Sequence, residues 1–260
     1  MRTVLLLLVA SCAAVTPGAW AHDRSLPRAV VGEIVNATRD RHAAVLPAAT
    51  DALATALSRA GVYDVVSRRE LDRAASERRM RAPYDASDLA KLAKDLGAAA
   101  IVTGELRFID IKGRYPAREV GVGILVRVKD AATGELINGA AERGVSSDAA
   151  DGSKSDYTIL MDAAVAGAEQ CAARIAQTRP ITGTVLNNQG NDLVVINRGL
   201  GDGVKKGQEF VAYRSGVAVA RLRMFKPFGQ YTLLKVTEAT MGVQPQDRVV
   251  AVFPEPRFGK

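Results

Sequence analysis

The chain has 260 residues, 48% of them hydrophobic and 24% charged, with 35 Lys and Arg against 28 Asp and Glu for a formal net charge of +7. Cys12 and Cys171 are its only cysteines, and His22 and His42 its only histidines. This leaves no clustered metal or catalytic ligands to build on, and outside the first residues no run approaches the roughly 20 apolar residues of a membrane-crossing helix.

The N-terminus reads as a secretory signal peptide: Arg2, the apolar run Val4–Ala10, and a small-residue end at Ala19-Trp20-Ala21 that places cleavage after Ala21. A rival reading takes Leu8–Cys12 as a lipobox, with Cys12 lipidated and anchoring the protein to a membrane. Cleavage after Ala21 removes one basic residue and leaves 34 Lys and Arg against 28 Asp and Glu, a net of +6. Export removes nucleic acid as a partner for that charge. Anionic lipid, peptidoglycan or acidic protein remain, beside plain solubility.

A first strand is expected over residues 28–37, where Ala29–Val35 is apolar and β-branched. A helix follows, capped by Thr50 or Asp51, with Leu53, Ala56, Leu57 and Ala60 at helical spacing until Gly61 stops it. Val62–Val66 is a short strand, and Arg69–Met80 a charged helix whose opposite charges sit three and four apart. Asp88–Leu96, closed by Gly97, is a third helix that leads into a strand over 99–108. Val120–Lys129 and Glu135–Gly139 form a hairpin around Asp130–Gly134, where Gly134 supplies a positive φ. A polar loop at 146–153 precedes a closing helix at about 157–177, in whose Ala-rich run Cys171 reads as a small buried hydrophobe.

Pro180 ends that helix, and six short alternating segments follow, at 181–185, 192–196, 209–214, 217–220, 231–236 and 248–252. The expected organisation is therefore a signal peptide at 1–21, an α/β sheet-and-helix domain at 22–179 and a small β-barrel at 180–260.

Nothing here carries catalysis. His22 would open the mature chain without a second histidine at fixed spacing. His42 sits in a turn beside Arg39 and Arg41. Gly199–Gly203 lacks the lysine and serine of a phosphate loop and reads as a β-turn. Asp85, Asp88, Asp95, Lys91 and Lys94 are explained by capping and pairing along a helix. No cofactor or metal is expected. The most concentrated basic patch is Arg68, Arg69, Arg73, Arg78, Arg79 and Arg81. Its guanidinium groups suit carboxylate or phosphate partners, so Arg68, Arg69, Arg73, Arg78 and Arg79 are the candidate partner-binding residues, against the alternative of a solvated face.

Asp51–Asp72, Leu96–Glu105 and the hairpin Val126–Glu135 occur in an order that resembles the CsgG-like family of the curli-assembly outer-membrane factor and the related TolB amino-terminal domains, over about 29–178. Gly183–Val185, Val195–Gly199 and Gly203–Phe210 resemble the carboxy-terminal barrel of flagellar assembly protein T. The resemblance implies a non-enzymatic periplasmic protein, associated with the outer membrane, that assembles or stabilises a surface or flagellar structure by protein–protein docking. Its partners would be proteins of an appendage or secretion assembly, with a homo-oligomeric ring and peripheral membrane or peptidoglycan contact as further options. The alternative is a lipidated subunit of a CsgG-type secretion channel. Curli-type pores carry two long amphipathic hairpins, whereas 109–119 and 142–157 here read as short charged loops, which argues against the channel.

Overall fold

The computed structural model describes residues 26–38, 43–114, 117–148, 154–178, 180–190 and 192–259. The expected signal peptide, Cys12, His22, Arg39, Arg41, His42 and Arg179 lie outside them. The fold is mixed α/β: a five-stranded sheet with four helices, followed by a closed six-stranded barrel.

The sheet has the order β2-β1-β3-β4-β5. Strand β1 (Arg28–Asn36) runs parallel to β2 (Asp64–Val65) and to β3 (Ala100–Arg114). β3, β4 (Ala117–Asp130) and β5 (Leu136–Ser147) form an antiparallel meander. Alternation along β1 divides the layers. Ala29, Val31 and Ile34 pack with helices α1 (Leu46–Arg59) and α4 (Asp156–Gln177), while Val30 packs with α2 (Arg68–Glu77) and α3 (Ala86–Asp95) on the opposite face. Period-2 side-chain alternation gives the split over Ala29–Val31, and a register irregularity between Val31 and Ile34 returns Ile34 to the face of Ala29 and Val31.

Two expectations are corrected. Thr50 and Asp51 do not cap α1, which starts one turn earlier at Leu46 with Pro47 in its first turn. Proline has a pre-set φ and no N–H to leave unpaired, so it opens the helix there. Thr50 is instead buried, its hydroxyl donating to the Leu46 carbonyl and accepting from the Ile34 N–H on the open side of β1.

Residues 109–114, 117–119 and 142–147 are not loops either. β3 and β4 stay paired from Ala100↔Asp130 to Arg114↔Ala117, and β5 follows β4 to Glu119↔Ser147. The alternation is hidden in the sequence because Gly121 and Gly123 stand where side chains would. The Phe108 ring lies over Gly123, and the Asp110–Arg143 ion pair lies over Gly121. On the other face of these extensions Ile109, Val120 and Val122 join the core beneath α4.

The barrel closes in the order β10-β7-β6-β11-β8-β9. Its strands are β6 (Thr182–Gly190), β7 (Leu193–Ile196), β8 (Glu209–Arg214), β9 (Val217–Pro227), β10 (Thr232–Ala239) and β11 (Arg248–Ala251). Val185, Val194, Ile196, Phe210, Leu222, Leu234 and Val249 fill it. β6 and β9 are longer than the expected 181–185 and 217–220, carried on by bulges that absorb the polar residues Asn187 and Arg223 into pairing.

The chain after β11 returns to the first sheet and crosses the face of β4 and β5 that no helix covers. The Phe253 N–H donates to the Leu136 carbonyl at 2.7 Å, Glu255 accepts from Arg127 at 2.6 Å, Pro256 fills the space over Gly139, and Phe258 meets Phe108 edge-on at 5.0 Å between centroids.

Candidate interaction surfaces

Helix α2 owes its start to Ser67, whose hydroxyl accepts the Glu70 N–H, and it buries Leu71, Ala74 and Ala75 against α3 and the sheet. Arg68, Arg69 and Arg73 are thereby left on its solvent side, with Arg78 and Arg79 at its end. Three of these five are engaged within the chain. Arg68 donates to Glu33 at 2.5 Å and lies 3.4 Å from Asp72. Arg73 pairs with Glu77 one turn on, and Arg78 forks onto Asp95 of α3. The hydrogen bond from Arg78 holds the Asp95 carboxyl below the usual carboxylate range. Arg69 and Arg79 are exposed and carry no ion pair among the described residues. What the helix can offer an acidic partner is therefore chiefly Arg69 and Arg79, set in a largely neutralised surface.

A cleft of about 650 Å³ separates the barrel from the turns at Ala98–Ala99 and Asp130–Ala132. Tyr213 closes its floor. Its hydroxyl lies 3.2 Å from the Thr133 hydroxyl, and burial pushes its pKa up to about 12. Asp130 faces the same space but already accepts from the N–H groups of Ala132 and Thr133, as a turn-capping residue does. Asp247 is buried on the barrel side, accepts from Arg214 and from the Gln244 N–H, and is held below the usual range by the Arg214 guanidinium. The two carboxylates of the cleft, Asp130 and Asp247, are thus engaged by groups of the chain itself. Beside it, Arg221 of β9 forms an ion pair with Glu135, a second clamp between barrel and sheet.

Cys171 is fully buried among α4, β4 and β5, its thiol facing the Ile124 carbonyl, and burial pushes its pKa to about 12. That is an inert packing cysteine. Among the described residues no group of three His, Cys, Asp or Glu could hold a metal ion, and no helix is long and apolar enough to cross a membrane.

An aromatic cluster on the barrel is distinctive in the sequence alone. Phe225-Lys226-Pro227-Phe228-Gly229-Gln230-Tyr231 concentrates three aromatics in seven residues of a chain that is 5% aromatic. They crown one end of the barrel, where Phe228 and Tyr231 stack at 4.4 Å and the Lys226 ammonium lies 5.3 Å from the Phe228 centroid.

Residues 26–138 match the family model of the curli production assembly/transport component CsgG. The match agrees with the resemblance carried by Asp51–Asp72, Leu96–Glu105 and Val126–Glu135. It stops before the barrel, whose flagellar-type likeness remains an expectation. Among solved structures, the C-terminal domain of LpoB from Salmonella enterica is 20% identical with a TM-score of 0.34, over 46% of this chain and 82% of that one. Lipoprotein GNA1162 from Neisseria meningitidis is 16% identical with a TM-score of 0.39, over 52% and 90%. The PelC dodecamer from Paraburkholderia phytofirmans is 17% identical with a TM-score of 0.32, over 56% and 90%. At these values none fixes a shared assembly or partner. No curated protein matches the chain significantly.

Proposed function

We propose that this chain, CsgG-like over residues 26–138, is an exported, non-enzymatic envelope protein that helps assemble or stabilise a surface or flagellar structure by docking onto other proteins. The CsgG match is the observation that carries the reading. We take residues 22–179 and 180–260 as its two working units, the periplasmic side of the outer membrane as its place, and cleavage after Ala21 as its maturation. The unpaired Arg69 and Arg79 are the points at which an acidic protein partner would meet α2, and association of copies into a ring is compatible with the exposed strand edges.

The channel alternative draws some support from the length of β3 and β4, 15 and 14 residues, which suffices for a membrane-crossing hairpin. The apolar side of that hairpin, however, is seated on α4, and its other side carries the Asp110–Arg143–Glu119 cluster. A barrel wall needs a continuous apolar face toward lipid.

The test is a photo-activated crosslinker placed at Arg69, at Arg79 and, as a control, at Asn187 on the barrel. Expected are discrete envelope-protein adducts from the two helix positions that disappear on charge reversal of the other arginine. Equal adducts from all three positions would remove α2 as the docking face.

A further inference from the structure

We propose that the end of the barrel formed by residues 198–208 and 223–231 docks onto the surface of an anionic phospholipid membrane. The inference goes beyond the docking role above, since it concerns a different surface and a different class of partner.

Two connections are clipped together there. The Leu200 N–H donates to the Phe228 carbonyl at 2.8 Å, the Gly201 N–H to the Gly229 carbonyl at 3.1 Å, and the Phe228 N–H to the Tyr231 carbonyl at 2.8 Å. Gly199 lacks a Cβ where one would fall 2.4 Å from the Phe228 carbonyl oxygen, which lets the two backbones touch. Lys205–Gly207 joins the same end, because the Gln208 carbonyl accepts from the Met224 N–H and Glu209 pairs with Arg223.

Three large apolar side chains on this clipped end face water: Phe225 is 60% exposed, Leu200 57% and Tyr231 42%. Phe225 is the extra residue of a bulge, between Lys226, which pairs with Leu233, and Met224, which pairs with Leu234. The two acidic groups of this end are already met by arginines, Asp202 by Arg198 and Glu209 by Arg223. Lys205, Lys206 and Lys226 carry no ion pair among the described residues, so the end presents three uncompensated positive charges around its aromatics.

That combination fits a lipid headgroup layer. Aromatic rings settle at the depth where apolar body and polar edge are both satisfied, and lysines reach the phosphates from the same surface. Leu200, Lys205, Lys206 and Tyr231 sit on the connections between strands, and Phe225 stands out on the bulge near the end of β9. The barrel wall at Val211, Tyr213 and Val250 is already packed against Ile137 of β5, whereas the aromatic end is left open.

The experiment is co-sedimentation of the protein purified from the periplasm of an expressing cell with vesicles of phosphatidylcholine, alone or with about 30 mol% phosphatidylglycerol. Expected is binding to the anionic vesicles only, weakening as NaCl rises from about 0.05 to about 0.5 M. The double substitution Phe225→Ser with Tyr231→Ser is expected to weaken it about tenfold or more, and Lys205→Glu, Lys206→Glu with Lys226→Glu to lower it to the level of neutral vesicles. Leu186→Ser, which removes an exposed side chain of β6, serves as the control that binds as the wild type does. Matching unfolding midpoints establish that the variants fold. Equal binding to both vesicle types, no binding to either, or unaltered binding by the two barrel-end variants would overturn the proposal. Any of these outcomes would leave the α2 crosslinking test, and the docking role it probes, untouched.

Discussion

Replacing Gly144 by alanine tests the closest backbone contact that a glycine of the first sheet makes. Gly144 faces α4 from β5, and a Cβ there would fall 2.1 Å from the Ala163 carbonyl oxygen, 2.2 Å from the Gly167 nitrogen and 2.7 Å from the Gly167 Cα. All three are backbone atoms, so no side chain can rotate out of the way. Relief to an ordinary contact requires α4 to move more than about 1 Å from the sheet. The helix cannot do so locally, since Ile159, Leu160, Ala163, Ala168, Cys171 and Ile175 all sit in the same core. Overpacking costs about 1–3 kcal/mol where the surroundings yield, so the upper end, about 3 kcal/mol, is expected here. For a protein of this size that is a fall of about 6–12 °C in melting temperature. The assay is thermal unfolding followed by circular dichroism, with Gly216→Ala as the comparison because its added Cβ meets nothing within 4 Å and only its positive φ is strained. A Gly144→Ala protein melting within about 2 °C of the wild type would show that α4 is not seated as described.

Two further outcomes follow from titrating groups. The Cys171 thiol, pushed to about 12 by burial, is expected to resist maleimide in the folded protein and to react fully in urea, as read by mass of the peptide carrying it; rapid labelling without denaturant would contradict its packing. Asp247 has its folded pKa lowered by Arg214, so the stabilisation it provides is fully present above the unfolded value near 3.9 and lost as pH falls through the folded value below it. Melting temperatures of wild type and Asp247→Asn should therefore differ most above about pH 4 and converge in stronger acid, and a difference that does not change with pH would show that the ion pair contributes nothing.

Local chemistry was readable where the cause lay within a few residues. Gly97 ends its helix and Gly134 adopts a positive φ, and Asp85 caps its helix as a short polar residue before an apolar run does. What escaped depends on partners distant in the chain. The arginine face of α2 looked strongly basic because its neutralisers, Glu33 and Asp95, lie 35 and 17 residues from Arg68 and Arg78 rather than at helical spacing. The strap at residues 253–258 has no periodicity of its own, and is set by Arg127, Phe108 and the missing side chain at Gly139. The extensions of β3 to β5 looked like loops because their outward residues are charged or glycine. Only when Arg143 is set beside Asp110 and Glu119 on neighbouring strands does that composition become a sheet surface.

The same extensions bear on the choice between docking and channel formation, and energy decides it better than length. To line a membrane with β3 and β4, their apolar residues Ile109, Val120 and Val122 would have to leave α4 and meet lipid. Lipid could replace the helix for those strands. It could not do so for α4, which would be left with Ile159, Leu160 and Ile175 facing water. At about 1.5–3 kcal/mol for each large side chain, these three alone cost about 5–9 kcal/mol, comparable with the roughly 5–15 kcal/mol that holds a domain together. The opposite face would line the lumen, and there Phe108 would lose Phe258 while the strap from the barrel lost its seat. A helix closed down on a glycine at backbone contact and a strap pinned by Glu255 hold this hairpin as the wall of a folded core, which favours a protein that meets its partners from the surface.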